Sequence, residues 1–356
     1  MNGPLWIAAL ALAAGLAALG SSAPAADESS QTAQQTKEDE MAKKKARSET
    51  KPETAPAPAP APAAKPAARA PRKPRKVIVG TAMYAMWGEY PGLQKRLDQL
   101  GGLIDDMAKQ AREKYGRGID IAALPEVAVN GGRGYGPAGA FPLKGQVQDY
   151  FAAKARELNC YIVAPMYMTD QDKDGQPLCY NVCALVGRKG ELVGIYRKFY
   201  PVSGYDGDLL EGGVMPGHEL PVFDCDFGRV ALQICYDINF DDAWRSLALD
   251  GAELVIWSTQ SPGQIKAAHR ALGARCFVLT STWRNNASLF DPMGAMLRSI
   301  TRPEDRVFAE EIDLEYVLLP WQPKLQNGKV FDETFPGKVG YRYSEAEDEE
   351  IGRAHV

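Results

Sequence analysis

Along this chain the spacing of apolar positions switches repeatedly between two periods. Lys76 to Tyr84 (KVIVGTAMY) is an almost unbroken apolar run of strand length, whereas Pro91 to Gly116 places apolar residues three and four apart, as a helix with one buried face requires. The alternation continues with a strand over IDIAALPEV (119–127), a helix over QVQDYFAAKAREL (146–158) and a strand over CYIVAPMYM (160–168). NVCALVGRKGELVGIYRKFY (181–200) reads as two strands around an Arg-Lys-Gly turn. Beyond it, GRVALQIC (228–235), ELVIWSTQ (253–260) and FVLTSTW (277–283) are strand-like, and DDAWRSLALDGA (241–252) and IKAAHRALGAR (265–275) are helix-like. SLFDPMGAML (288–297) and RVFAEEIDL (306–314) close the series. Strands and helices in alternation, with hairpins between them, predict an α/β fold whose sheets are covered by helices.

Three stretches fall outside this pattern. Leu5 to Leu19 is apolar but shorter than the about 20 residues of a membrane span, and Ala23-Pro24-Ala25 after it fits a small-x-small cleavage site. The expectation is a signal peptide over 1–25 and an exported protein, periplasmic or secreted. An uncleaved N-terminal anchor, the one route to a membrane, is the alternative. Residues 26–76 hold eight of the 25 prolines, too many for a packed core, and read as an extended tether of polyproline II character. The last stretch, 344–356, opens with five acids in SEAEDEE and reads as an acidic tail, a mobile end or a partner contact. Residues 77–343 remain, enough for one large core rather than two domains.

The net charge of −4 divides unevenly. Residues 27–76 carry 12 basic and 7 acidic side chains, or +5, and residues 1–26 carry none, which leaves −9 for the rest. A domain this acidic is a poor partner for nucleic acid, which needs clustered Lys and Arg. Five of the six cysteines (Cys160, Cys179, Cys183, Cys225, Cys235, Cys276) sit in or beside apolar runs, where cysteine behaves as a small hydrophobe, so all six are expected free. Three scattered histidines and no paired CxxC argue against a metal site. GYGPAG (134–139) matches a dinucleotide-binding pattern but follows no strand and has Pro137 where a helix should open, so a loop is expected.

Three polar residues stand where apolar ones would continue the pattern: Glu126 after a strand, Lys198 at the end of another, and Cys235 at the end of a third. Singly they are a capping carboxylate, a snorkelling lysine and a core cysteine. Together they form a chemical set. A carboxylate in a dry pocket can take a thiol's proton, and an ammonium can lower the thiol pKa and stabilise the oxyanion that attack creates. A thiolate so formed is expected to react with iodoacetamide at neutral pH.

LPEVAV, YRKFYP and GRVALQICYDINF, in that order, resemble the motifs around the glutamate, lysine and cysteine of the nitrilase superfamily of carbon–nitrogen hydrolases, and the resemblance spans residues 77–316. It implies a four-layer α-β-β-α sandwich, a homodimer or larger assembly, and no cofactor. It also implies Glu126 as base, Lys198 as oxyanion-stabilising cation, Cys235 as nucleophile and the backbone N–H of Tyr236 in the oxyanion hole. Glu211 is the candidate for a substrate-positioning second glutamate, with Glu219 the alternative, and the strand end Trp257-Ser258-Thr259-Gln260 falls where the family lines its substrate pocket, with Trp257 and Ser258 the residues singled out. The activity implied is thiol-dependent hydrolysis of a small amide or N-carbamoyl amine. The alternatives are nitrile hydrolysis by the same triad and a non-catalytic, nitrilase-like interaction protein. Asp241 and Asp242 stand where the family commonly places a proline, and Ala274 and Arg275 replace its usual Glu-Asn pair.

Overall fold

The computed structural model describes residues 74–203, 209–337, 339–344 and 349–354. The expected signal peptide and nearly all of the tether lie outside these residues.

The first half of the domain runs β1 (Lys76–Ala82), α1 (Leu93–Tyr115), β2 (Ile121–Ala123), α2 (Gln146–Leu158), β3 (Tyr161–Gln171), β4 (Pro177–Val186) and β5 (Leu192–Arg197). Helix α1 turns Leu97, Leu100, Ile104, Met107 and Ala111 inward, and it stops at Gly116, whose left-handed φ of 71° lets its N–H close back on the Arg112 carbonyl at 3.0 Å. The second half runs β6 (Val222–Cys225), β7 (Gly228–Ile234), α3 (Asp241–Leu249), β8 (Leu254–Ser258), α4 (Gln264–Ala274), β9 (Phe277–Ser281), β10 (Ala287–Phe290), β11 (Met296–Ile300) and β12 (Val307–Asp313).

Two six-stranded sheets result, ordered β12-β1-β2-β3-β4-β5 and β11-β10-β9-β8-β7-β6. Each has three parallel strands at its centre, β1, β2 and β3 in one and β7, β8 and β9 in the other, flanked by antiparallel ones. Strand alternation then separates three apolar layers. Val77, Val79, Leu232, Ile234, Leu254 and Ile256 fill the space between the sheets. Ile78, Ala122 and Ile162 pack under α1 and α2, and Ala231, Val255 and Val278 under α3 and α4. The architecture is therefore the four-layer α-β-β-α sandwich.

Two elements differ from the sequence expectation. The strand predicted over 119–127 is only three residues long, because Pro125 has no N–H to give a ladder and the chain turns there, with Val127 at a φ of 48°. The segment expected as an acidic tail is not wholly tail: β15 (Glu349–Ala354) pairs antiparallel with β13 (Val317–Pro320) and β14 (Val339–Ser344) in a third sheet. A short helix, α5 (Lys329–Thr334), precedes β14. Arg342 of β14 forms an ion pair with the buried Asp291.

The layering makes a direct prediction. Leu232, fully buried between the sheets, and Leu249, 79 % exposed on α3, should differ sharply in their response to truncation. Leu232→Ala is expected to cost about 2–5 kcal/mol in denaturant unfolding, and Leu249→Ala less than about 0.5 kcal/mol in the isolated protomer.

Candidate active site

The carboxyl ends of strands from both sheets come together at one place. Glu126 lies in the turn after β2, Lys198 immediately after β5, Cys235 immediately after β7, and Thr259 immediately after β8. Polar side chains join the sheets there: Ser258 donates to the Leu124 carbonyl at 2.8 Å and Ser281 to the Ala82 carbonyl at 3.0 Å.

At the centre is a buried cluster of charge. The Lys198 ammonium donates to Glu126 Oε1 at 3.1 Å and also to Glu211 Oε1, and all three side chains are 2 % exposed. Asn181 on β4 spans the two acids, its Nδ2 donating to Glu126 Oε1 at 2.9 Å and to Glu211 Oε2 at 3.1 Å. The other Glu126 oxygen accepts the Gln260 N–H at 3.2 Å, and the Glu126 carbonyl accepts the Trp283 indole N–H at 2.8 Å. Glu211 is held by its own strap, since its N–H donates to the Val202 carbonyl at 2.8 Å while its Oε1 accepts the Val202 N–H at 3.2 Å. Burial opposes the Lys198 charge, but Glu126 and Glu211, aided by Cys235 and Asp237, outweigh it and hold the ammonium pKa well above its ordinary value. The lysine is a permanent cation.

The same surroundings act oppositely on the thiol. Burial first, and then the Glu126 carboxylate, push the Cys235 pKa up to about 12, and the opposing pull of Lys198 and the Thr259 hydroxyl does not compensate. Two carboxylates already face one ammonium, so a thiolate would add a second uncompensated negative charge in a dry place. The resting group is a thiol beside a carboxylate, not the expected thiolate.

Cys235 also sits on strained backbone. Its φ is 44°, in the left-handed region that costs a residue with a Cβ about 1–2 kcal/mol. The turn is fixed from both sides: the Trp257 indole N–H donates to the Cys235 carbonyl at 2.9 Å, and Asp237 Oδ2 accepts the Ile234 N–H at 2.9 Å. Glu211 (φ 43°) and Val127, next to Glu126, share this conformation. Strain concentrated in one cluster is a mark of a functional site.

Asp237 is a residue that sequence reasoning missed. Its fully buried carboxylate accepts the Tyr196 hydroxyl at 2.7 Å and the Tyr200 N–H at 2.9 Å in addition to Ile234, so it ties the end of β7 to the segment carrying Lys198. Burial pushes its pKa up to about 6, while Lys198 and these donors restrain the rise. Asn181 was missed too. Both are polar residues inside apolar runs, a signal the sequence offers. Gly136, from the loop pattern GYGPAG, has a different role: at its φ of 58° an added Cβ would lie 2.5 Å from the Glu211 carbonyl, so only glycine lets the Glu211 strap approach.

Cys235 opens onto a cavity of about 490 Å³ lined by Tyr236, Ile238, Trp257, Thr259 and Pro262 among others. Two of the expected substrate-pocket residues are there, Tyr236 and Trp257. Ser258 is not: side chains alternate along β8, so Trp257 faces the cavity, Ser258 points into the space between the sheets, and Thr259 takes the next place at the cavity wall. Of the two second-glutamate candidates, Glu211 is in the cluster, and Glu219 is exposed beside Tyr180 and Arg197. All six cysteines are free, and among the described residues no group of three or more His, Cys, Asp or Glu could hold a metal ion.

Comparison with known proteins places this geometry in context. Residues 80–318 match the carbon-nitrogen hydrolase family. Omega-amidase NIT2-A of Xenopus laevis is 26% identical over 237 residues, covering 60% of this chain and 84% of the relative. Deaminated glutathione amidase of Rattus norvegicus is 26% identical over 223 residues, 56% of this chain and 66% of the relative. Beta-ureidopropionase of Arabidopsis thaliana is 27% identical over a shorter 148 residues, 40% of this chain and 35% of the relative. Among solved structures, Saccharomyces cerevisiae Nit3 of the nitrilase superfamily shares the fold at a TM-score of 0.55 and 17% identity, covering 74% of this chain and 95% of that one.

The elevated thiol pKa is testable on the resting protein. Iodoacetamide labelling of Cys235, followed by peptide mass spectrometry, should be slow at pH 7 and accelerate about tenfold per pH unit to pH 9, as the thiolate fraction does. A rate already level at neutral pH would show a resting thiolate instead.

Proposed function

The chain belongs to the carbon–nitrogen hydrolase family, and from that premise we propose that it hydrolyses the C–N bond of a small amide or N-carbamoyl amine through an acyl-enzyme on Cys235. One observation carries the reading: a cysteine thiol at the wall of a cavity is backed by a buried carboxylate and a buried, permanent ammonium.

The charges make the steps intelligible. As the sulfur attacks the carbonyl, its proton passes to Glu126, and the negative charge that leaves Glu126 reappears on the carbonyl oxygen, facing Lys198 and the Tyr236 backbone N–H. No net charge is created in the dry site. Collapse of the tetrahedral intermediate breaks the C–N bond, and the leaving ammonia or amine takes the proton from Glu126. Glu126, again a carboxylate, removes a proton from water, which attacks the thioester; a second collapse returns the proton to sulfur and releases the acid. Glu211 and Asn181 are positioning residues in this scheme: they hold Lys198 and Glu126 and form no bond to substrate. The names of the omega-amidase, beta-ureidopropionase and deaminated glutathione amidase relatives support an amide or carbamoyl substrate.

Two further parts of the proposal concern setting. Leu249 and Ile265, exposed on the adjoining helices α3 and α4, support a homodimer or larger assembly. The apolar run and cleavage pattern within residues 1–25 support export. N-terminal sequencing of protein recovered from outside the cytoplasm should begin near residue 26, and an intact Met1 in a cytoplasmic fraction would contradict it.

The mechanism is tested by ammonia release from purified protein offered amides and carbamoyl amino acids. Cys235→Ala should abolish turnover. Lys198→Ala should lose an oxyanion partner worth about 3–4 kcal/mol, a hundredfold or more in rate, and Glu126→Gln should lose roughly 10²–10⁴-fold. A double variant should be little worse than the worse single one, because the three act as a unit. Near-normal turnover by Cys235→Ala, with the fold intact by circular dichroism, would end this reading.

A further inference from the structure

A second cavity, of about 580 Å³, lies just beyond the carboxyl ends of β1 and β9 and shares no lining residue with the one at Cys235. Met83, Tyr84 and Trp283 form its apolar side, and Arg284, Asn285 and Arg306 belong to its polar one. The turn after β9 divides the two cavities: Asn286 lines the first, Arg284 and Asn285 the second. Trp283 is a fixed surface there. Its indole N–H is held by the Glu126 carbonyl, and the exposed Trp87 ring meets it edge-on, 4.7 Å between centroids.

The charge in this cavity runs against that of the domain. The domain is strongly acidic overall, yet both charged side chains in the lining are arginines. Among the described residues neither guanidinium makes a hydrogen bond or an ion pair. The acids next to Arg306 in sequence are engaged elsewhere, since Asp305 and Glu304 both pair with Arg302, at 2.6 and 3.8 Å. Arg306 also borders a neighbouring hollow that holds Asp106 and Glu113, but it pairs with neither. It lies instead over the Tyr84 ring, 5.6 Å from the centroid, which leaves its N–H donors unspent. A third cation acts on Tyr84 from within the protein. Arg96 is 4 % exposed and has no carboxylate among the described residues; it donates to the Ala128 carbonyl at 3.2 Å, and its Nε has no partner.

We propose that this cavity is a binding site for a small aromatic phosphate, an aryl or nucleoside monophosphate, separate from the site of hydrolysis. Two unpaired guanidiniums balance a phosphate dianion, and their planar forks match its oxygens in pairs. A single carboxylate would leave one of the two cations uncompensated. Asn285 and Thr301 supply donors for the remaining oxygens, and the flat ring lies against Trp283 and Tyr84. The volume is that of an ordinary small-molecule pocket. Because the turn after β9 walls both cavities, the bound phosphate sits against the back of the hydrolytic site. The assignment concerns binding and does not rest on the hydrolase reading.

The test is calorimetric titration of the full chain, with tryptophan fluorescence as a second readout of the Trp87–Trp283 pair. Phenyl phosphate and adenosine monophosphate should bind, whereas phenol and adenosine at the same concentrations should not. Inorganic phosphate should bind more weakly than phenyl phosphate, because it has no ring to lay on Trp283. Arg284→Met and Arg306→Met should each weaken phenyl phosphate binding roughly tenfold or more, the span of one charge-assisted hydrogen bond. Arg284→Lys should restore only part of the loss, since an ammonium keeps the charge but not the fork. Arg245→Met, which removes an exposed arginine on α3, should leave binding unchanged. Tighter binding of adenosine monophosphate than of phenyl phosphate assigns the site to nucleotides, and equal binding assigns it to simple aryl phosphates. Benzoate binding as tightly as phenyl phosphate would overturn the choice of phosphate. The site itself is overturned if neither aromatic phosphate binds, if inorganic phosphate binds as tightly as phenyl phosphate, or if the Arg284 and Arg306 variants bind no more weakly than Arg245→Met.

Discussion

The site is organised around a single difficulty, a lysine ammonium placed where water does not reach. Lys198 is tolerable there only because Glu126 and Glu211 both contact it and Asn181 donates a hydrogen bond to each of those acids. Removing one partner from such a buried set typically costs about 3–5 kcal/mol, because the remaining charge is left uncompensated. That constraint explains features that otherwise look unrelated. β2 must end early so that Glu126 can turn back, Gly136 must lack a side chain so that the Glu211 strap can close, and the backbone must accept left-handed residues at Glu211, Val127 and Cys235. Burial, and then the negative charge of Glu126, also keep the thiol protonated until something arrives to take up the charge that its deprotonation releases.

Much of this was legible in the sequence, for identifiable reasons. The switching period of apolar residues located nearly every strand and helix of the two sheets, since burial on one face or two leaves a pattern that local context does not erase. Glu126, Lys198 and Cys235 stood out because each interrupts an apolar run at a strand end, where a polar side chain needs a reason to be. The resemblance to a known family added the four-layer architecture and the choice of Glu211 over its neighbours in the loop.

What was not legible depended on three dimensions. Ser258 and Thr259 are both small hydroxyl residues, and only the strand register decides which faces the cavity; a shift of one position moves a side chain to the opposite face of the sheet. The protonation state of Cys235 depends on how many charges surround it and how dry they are, which spacing cannot express. That Asp237 interrupts an apolar run is visible in the sequence, but not that it is the anchor between the strand that ends before Cys235 and the one that ends before Lys198. The strand at Glu349–Ala354 was hidden by its charge, because a short strand in a small outer sheet need not be apolar.

The order of strands in the first sheet has a consequence for how the molecule comes into being. β1 lies between β2, which follows it closely, and β12, which pairs with it from the far end of the domain; Arg75 and Asp313, joined by a hydrogen bond, are 238 positions apart. Contacts of such long sequence separation are slow to form, because loop closure must precede the gain from pairing. On a ribosome, the segment through Gln260 could supply every member of the charged cluster while β1 still lacked its second neighbour. The charged cluster and the completed sheet thus mature on different clocks, and chain growth, rather than chemistry, sets the later one.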